Sequence, residues 1–460
     1  MSDKSLENGE EKVADSSPNK RMKVMSIDRL SALPDGILIH ILSFLGLKKS
    51  VVTSVLSKRW KFLWTELPRF EFKENRKERD KISKFVAMVN RTLRIRRGAH
   101  LEKFYVNFRY DESLASDVNS WIDFVLKDKV KEVCLHLRFV SEDELYGLPE
   151  RMYSNSSLIR FSVQGCVMDT LTKIEWQCLT RLEIKESTLQ QHVIENILLG
   201  CPVLHALRLE DCLGFNCLDI KSQNLYELRV YDRGDGENGA LEISAPYLHM
   251  LDISYNPEMA KLVLKNIKSL VTAEINFSDY LMTNWMPTDG IQSATNELFE
   301  ILKDVKELKL GGNLFWVLSD FVVHGWQPSV SRRKCLTIDT FSGYGNSFSV
   351  LFALLKFSPN LERLAMRVFE ADAYPRDDAA TDDLDFDLLH LKTVTITEFA
   401  GPPYFGEPIL TVVRTFLKRA IALEEMTIRL GDRELNDHIE ISERLLSYPR
   451  SSGKVVIRLC

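Results

Sequence analysis

Between residues 101 and 428 one short phrase recurs, with apolar side chains at its first, fourth and sixth positions. It restricts the possible folds more than any other feature of the chain. It reads Leu101-Phe104-Val106, Val130-Val133-Leu135, Leu158-Phe161-Val163, Leu179-Leu182-Ile184 and Leu204-Leu207-Leu209. It continues as Leu225-Leu228-Val230, Leu248-Leu251-Ile253, Leu270-Ala273-Ile275 and Val305-Leu308-Leu310, with a weaker copy at Leu336-Ile338. The last copies are Leu361-Leu364-Met366, Leu391-Val394-Ile396 and Leu423-Met426-Ile428. In a strand, positions four and six fall on one side. A single short strand cannot bury that side, so successive units must stack and share a continuous core. Separate α/β domains would not repeat one template.

From Leu179 to Leu270 the phrase starts lie 25, 21, 23 and 22 residues apart. This matches the leucine-rich-repeat signature, whose period is roughly 20 to 29 residues. The expected fold is an α/β solenoid with parallel strands on its concave face. Segments such as 191–199 and 348–355 have helical spacing and would close individual coils. They are followed by the stops Gly200-Cys201-Pro202 and Phe357-Ser358-Pro359-Asn360.

Residues 33–64 are organised differently. Leu33, Ile37, Leu38, Ile41, Leu42 and Leu45 build one helix face, with Pro34 at a first helical position and Asp35 in the first turn. Gly46 is expected to close that helix, and residues 50–60 to form a second one carrying Val51, Val52, Val55 and Leu56. Trp60, Leu63 and Trp64 crowd its end. So short a unit has more apolar surface than it can enclose, and the surplus must meet the rest of the chain or another protein.

Leu33-Pro34-Asp35, Ile37-Leu38, the run His40-Ile41-Leu42-Ser43-Phe44-Leu45 and the segments 53–60 and 63–64 resemble the F-box of plant F-box proteins. Asp28-Arg29-Leu30 before them, and Leu67-Pro68 and Phe70-Glu71-Phe72 after them, fit the same pattern. The resemblance implies docking on a Skp-type adaptor, which links such proteins to the cullin and RING subunits of a ubiquitin ligase. Near the other end, residues 391–399, a helix-like 409–420, residues 422–428 and a final strand at 455–459 resemble the FBD domain of plant F-box/leucine-rich-repeat proteins. Gly401-Pro402-Pro403-Tyr404 lengthens its first loop. The organisation read from the chain is a tail at 1–25, an F-box at 26–72, a basic amphipathic linker helix at 73–100, repeats at 101–385 and an FBD domain at 386–460.

The adaptor-binding residues that this implies are Leu33, Pro34, Ile37, Leu38, Ile41, Leu42, Leu45, Val51, Val55, Trp60, Leu63 and Trp64, a set that mixes interface with core. Target-binding candidates are outward strand positions: Arg208, Glu210, Arg229, Tyr231, Asp252, Glu274, Lys309 and Arg367. Residues 311–334, with Trp316, Trp326 and Arg332-Arg333-Lys334, read as an insertion that either recognises a partner or folds back as a cap. Residues 370–387 are strongly acidic, without calcium-loop spacing.

Composition narrows the function classes. Lys+Arg 60 against Asp+Glu 65 leaves a net charge of −5, which argues against bulk nucleic-acid binding. No apolar run approaches the roughly 20 residues of a membrane span, and residues 1–24 lack the apolar centre of a secretory signal. The eight cysteines show no zinc spacing and read as reduced thiols, consistent with the nucleus or cytoplasm. Gly234-Asp235-Gly236-Glu237-Asn238-Gly239 matches a nucleotide-binding string, but strand-like residues 240–243 follow where a helix is needed. No catalytic constellation and no cofactor are read. The expected function is the substrate-recognition subunit of a Skp–cullin–F-box ligase, a non-catalytic role. The alternative is a ligase-independent repeat scaffold.

Overall fold

The structure is a computed structural model that describes residues 30, 32–97, 100–139, 144–169, 172–231, 240–257, 261–278, 289–342, 347–370, 386–398, 407–430 and 435–460. It divides into two compact units, the first ending at Trp64 and the second running from Thr65 to Cys460. The tail at 1–25, the glycine string at 234–239, the Gly401-to-Tyr404 loop and nearly all of the acidic segment lie outside the described residues.

In the first unit, α1 (Asp35–Ser43) is preceded by Pro34 and buries Leu38 and Leu42 completely. These two lie four residues apart on one helix face. Gly46, at φ +72°, reverses the chain into α2 (Gly46–Val52), and the left-handed conformation there favours glycine. The second helix thus starts earlier than the sequence implies and stops at Val52, with a 3-10 turn at Thr53–Val55. Hydroxyl groups explain the early stop. Thr53 Oγ1 donates to the Ser50 carbonyl at 2.7 Å, and Ser54 Oγ donates to that of Val51. Such local bonds compete with helix propagation. Ser50 Oγ also reaches the Leu42 and Gly46 carbonyls, both at 2.9 Å, and ties α2 to α1.

The second unit carries a run of short strands. They are β1 (Arg69–Lys73), β2 (Lys103–Arg109), β3 (Glu132–Arg138), β4 (Tyr146–Gly147), β5 (Arg160–Gln164), β6 (Cys166–Met168) and β7 (Arg181–Leu189). Next come β8 (Ala206–Leu213), β9 (Cys217–Asp219), β10 (Glu227–Tyr231), β11 (Ala240–Ser244), β12 (Met250–Tyr255), β13 (Lys261–Lys265) and β14 (Thr272–Phe277). The last are β15 (Glu307–Leu310), β16 (Cys335–Ser342), β17 (Arg363–Glu370), β18 (Thr393–Glu398), β19 (Glu425–Arg429) and β20 (Val456–Leu459). The helices between them are α3 (Arg79–Ile95), α4 (Ala115–Lys127), α5 (Gln191–Gly200), α6 (Asp289–Ile301), α7 (Gly312–Val323), α8 (Ser347–Lys356), α9 (Glu407–Arg419) and α10 (Leu435–Ser447).

Among the described residues these strands make one 17-stranded sheet and a separate three-stranded sheet of β9, β11 and β13. The main ladder is parallel at every step. Phrase positions stay in register along it: Leu182 pairs with Leu207, Leu207 with Leu228, and Leu228 with Leu251. Every position-four residue from Phe70 to Met426 is at most 2% exposed. Position six, from Phe72 to Ile428, forms a second buried row beside it. Each fully buried side chain of this kind contributes about 1.5–3 kcal/mol, so the two rows form the energetic spine of the unit.

One region departs from the expected organisation, and in a second an open alternative is decided. The ladder begins at β1, whose Phe70 pairs with Phe104, so Phe70-Glu71-Phe72 is already the first repeat-type strand and not only the F-box flank. Residues 311–334 follow the second of their two expected readings and fold back against the body of the unit. Leu314, Phe315, Val317, Leu318 and Phe321 bury one side of α7, and Trp326 is buried with its Nε1 donating to Asn296 Oδ1 at 2.5 Å. The expected basic triplet likewise splits: Arg333 is 1% exposed, and burial pushes its guanidinium pKa down to about 10. The linker helix forms as α3, with Ile82, Phe85, Val86 and Val89 buried and Leu93 only half-buried. The Phe85 ring lies 5.4 Å from that of Phe108, an inward residue of β2. The elements expected at 386–460 form as β18, α9, β19, α10 and β20, and they continue the same parallel ladder.

Gly165 joins β5 to β6 at φ +73°, and a Cβ there would sit 1.9 Å from the Leu137 carbonyl oxygen. Both the dihedral and the clash exclude a side chain. Gly165→Ala should therefore destabilise the protein by roughly 2 kcal/mol or more in denaturant melts. Gly147→Ala, which meets nothing within 4 Å, should change stability by less than about 0.5 kcal/mol. Equal effects would contradict this account of the repeat turn.

Candidate functional site

The first candidate surface lies on the helical unit. Arg59 Nε donates to Asp35 Oδ1 at 2.8 Å, and Nη2 reaches the Leu33 carbonyl at 2.6 Å. This clamp holds the chain after α2 against the start of α1 while leaving many apolar side chains in solvent. Phe44 is 76% exposed and Val55 83%, with Leu30, Ile37, Leu45, Val51, Val52 and Leu56 also exposed. Small folded units rarely leave so many large apolar side chains in solvent without a partner.

The structure divides the twelve adaptor-binding candidates. Pro34, Ile37, Leu45, Val51 and Val55 are exposed, and Leu33 and Ile41 are half-buried. Leu38, Leu42, Trp60, Leu63 and Trp64 are buried, so their side chains form core and do not face a docking partner. Helical periodicity placed Leu38 and Leu42 on one stripe with Ile37 and Ile41, but it cannot say which member is covered. Phe44, Val52 and Leu56 were missed as surface residues. For Leu56 the available signal was the Thr53-Ser54 pair, whose hydroxyls bond the Ser50 and Val51 carbonyls where α2 ends; for Phe44 and Val52 the sequence held none.

The second candidate surface is the face of the ladder opposite its buried rows. Strand pairing brings Arg208, Arg229, Asp252, Glu274 and Lys309 into one continuous row of neighbours. Glu210 and Tyr231 sit in the next row, and Arg367 lies beside Asp339. All eight target-binding candidates thus belong to this outward register, but they are engaged with charged or hydroxyl partners. Arg208 lies 2.9 Å from Glu210 and 3.4 Å from Glu183, and its guanidinium stacks 4.9 Å from the centre of the Tyr231 ring. Arg229 pairs with Glu227 at 2.5 Å and approaches Asp252 at 3.7 Å. Lys309 pairs with Glu274, and Arg367 grips Asp339 through Nε at 2.6 Å and through Nη2.

Asp252 is a correction within that set. It was expected to be an exposed strand position, yet it is 5% exposed and accepts a hydrogen bond from the Tyr231 hydroxyl. Burial raises its carboxyl pKa above the ordinary value, and Glu274 adds to the rise against Tyr231 and Arg229. Beyond Lys309 the central row shrinks to Thr337, Ala365 and Thr395, and a shallow depression of about 470 Å³ opens there. Among the described residues no group of three or more His, Cys, Asp or Glu side chains could hold a metal ion. No described helix is long and apolar enough to cross a membrane.

The two surfaces define a class: a short helical unit with exposed apolar side chains followed by a leucine-rich-repeat ladder. Residues 30–72 match the F-box domain, and residues 93–443 match the family described as At1g61320/AtMIF1, LRR domain. F-box/LRR-repeat protein At3g03360 of Arabidopsis thaliana is 28% identical over 450 residues, covering 94% of this chain and 90% of that protein. F-box/LRR-repeat protein At5g02910 of the same plant is 28% identical over 75% of this chain and 73% of its own length. F-box protein At5g03100, also from Arabidopsis thaliana, is 30% identical over 64% of this chain and 92% of its own length. The chain belongs to the F-box/leucine-rich-repeat family. The repeat match runs through residue 443 and takes in most of the FBD-like segment.

The raised pKa of Asp252 gives a signed prediction. The native state holds this proton more tightly than the unfolded chain, so Asp252 contributes stability below its folded pKa and loses that contribution as pH rises through it. Asp252→Asn should therefore melt at the same or a higher temperature than wild type near pH 7. The difference should narrow as the pH falls toward about 4. A variant that melts well below wild type at neutral pH would contradict this assignment.

Proposed function

We propose that the chain is the substrate-recognition subunit of a Skp–cullin–F-box ubiquitin ligase. The helical unit docks on the Skp-type adaptor, which joins it to the cullin and RING subunits. The outward face of the ladder binds the protein that is to be ubiquitinated. The FBD-like segment closes the array. In this reading ubiquitin transfer belongs to other subunits, and the chain contributes binding alone.

The observation that carries the proposal is the number of exposed apolar side chains, Phe44, Val55 and Leu56 foremost, within the segment that matches the F-box. Apolar side chains held in water at this density gain about 25 cal/mol for each Å² that a partner covers. The Arg59 clamp and the buried Leu38 and Leu42 hold the helices that carry these side chains, so they are exposed before docking and little rearrangement is needed.

The test is capture of a purified Skp-type adaptor by wild type and by a Phe44→Glu/Val55→Glu/Leu56→Glu variant. The variant should lose at least about tenfold in affinity, because truncating central apolar anchors typically costs 2 kcal/mol or more at an interface. Its melting temperature should stay near that of wild type, since all three side chains are exposed. Undiminished capture, or a folded wild type that captures no adaptor, would overturn the proposal.

A further inference from the structure

The outward face of the ladder is not uniform in charge. From β7 to β17, Lys185, Arg208, Arg229, Lys309, Arg363 and Arg367 each have a carboxylate within ion-pair reach. At the β1–β3 end this cancellation is incomplete: Lys103 pairs with Glu71 at 2.6 Å and Arg69 approaches Glu102 at 3.8 Å, but three other cations are left over. Lys73, Arg109 and Arg138 have no carboxylate within ion-pair distance among the described residues. The nearby Glu74 carboxylate is already taken by Arg76, which holds it from two sides at 2.8 and 2.7 Å and lowers its pKa to about 2.

Register places the three cations together. Lys73 is aligned with Asn107, which is aligned with His136, and Arg109 lies directly beside Arg138 one step further along the strands. Like charges side by side on neighbouring strands destabilise a sheet. Arg138 Nη2 is anchored on the Glu74 carbonyl, while its buried Nε finds no acceptor. The Lys73 ammonium sits 4.8 Å from the centre of the Tyr105 ring, with Lys103 on the same ring at 5.8 Å. Burial lowers the pKa of His136 below the ordinary imidazole value, and Lys185 and Lys73 add to this against Glu183. The net charge of the chain is −5, so this cationic end is not a reflection of overall composition.

Resting on the reading that the ladder binds the target, we propose that its β1–β3 end grips an Asp/Glu-rich segment of that target. Lys73 and Arg109 supply charge that meets no carboxylate in ion-pair reach among the described residues, and Arg138 places a third cation beside Arg109. The paired cations between β7 and β17 would then contribute shape and hydrogen bonding more than charge attraction.

The test selects short random peptides on the full-length chain, then measures their binding and that of decaglutamate to wild type and two variants. Lys73→Glu/Arg109→Glu reverses the cationic end, and Thr337→Arg obstructs the distant depression. Melts of both variants check that they fold, and Lys73→Gln/Arg109→Gln serves if the reversal does not. Acidic selected peptides and decaglutamate should bind in a salt-sensitive manner and weaken about tenfold with the first variant alone. Non-acidic peptides blocked by Thr337→Arg would overturn the inference while leaving target binding by this face intact. Peptides indifferent to both variants, or no binding at all, would overturn the inference and count against that reading as well. Equal binding of oligothymidine through Lys73 and Arg109 would overturn the assignment to a peptide.

Discussion

The in-register parallel ladder is the constraint on which the repeat unit depends. Each strand contributes two inward apolar side chains, and pairing without a slip stacks them into two continuous buried rows. A shift of one residue would turn Leu207 and Leu209 outward and bring Arg208 into the core. The same register therefore fixes the outward face, because the residue between two buried positions must meet its counterpart on the next strand. The charge lattice from Glu183 to Lys309 is a direct consequence of that stacking.

The two units solve the problem of surface in opposite ways. The ladder offsets charge with charge along much of its outward face, so its central strands present ion pairs whose partners already lie beside them. The helical unit leaves Phe44, Val55 and Leu56 in water and stabilises itself by a few polar ties, notably Ser50 to the Leu42 carbonyl and Arg59 to Asp35. An apolar surface of that kind favours a constant partner of matching shape. The ladder face instead combines uneven charge with a depression near Thr337.

Much of the ladder was legible because strand alternation is a local property. Even the weak copy at Leu336-Ile338 marks a real strand, and the elements of 386–460 fall where their spacing puts them. The division between core and surface in the helical unit was not legible. Leu38 and Ile37 are adjacent in sequence and equally apolar, and only packing covers one and exposes the other. The burial of Trp326 and Arg333 was left open for the same reason, since a tryptophan beside basic residues suits a recognition loop or a folded-back cap equally until α6 and α7 are placed. Ion pairs within one strand, such as Arg208 with Glu210, show in the sequence as opposite charges two apart. Those between strands, such as Lys309 with Glu274, join residues far apart in the chain and appear only once the register is known.

The central claim is that the exposed face of the helical unit is a docking surface and that the ladder remains available for a different partner. Amide hydrogen exchange of the full chain, alone and with a purified Skp-type adaptor, addresses both halves at once. The account predicts slowed exchange confined to the helical unit, centred on residues 37–56, with the amides of β7 through β17 unchanged. No protection in residues 37–56, or protection spread along the ladder strands, would contradict it.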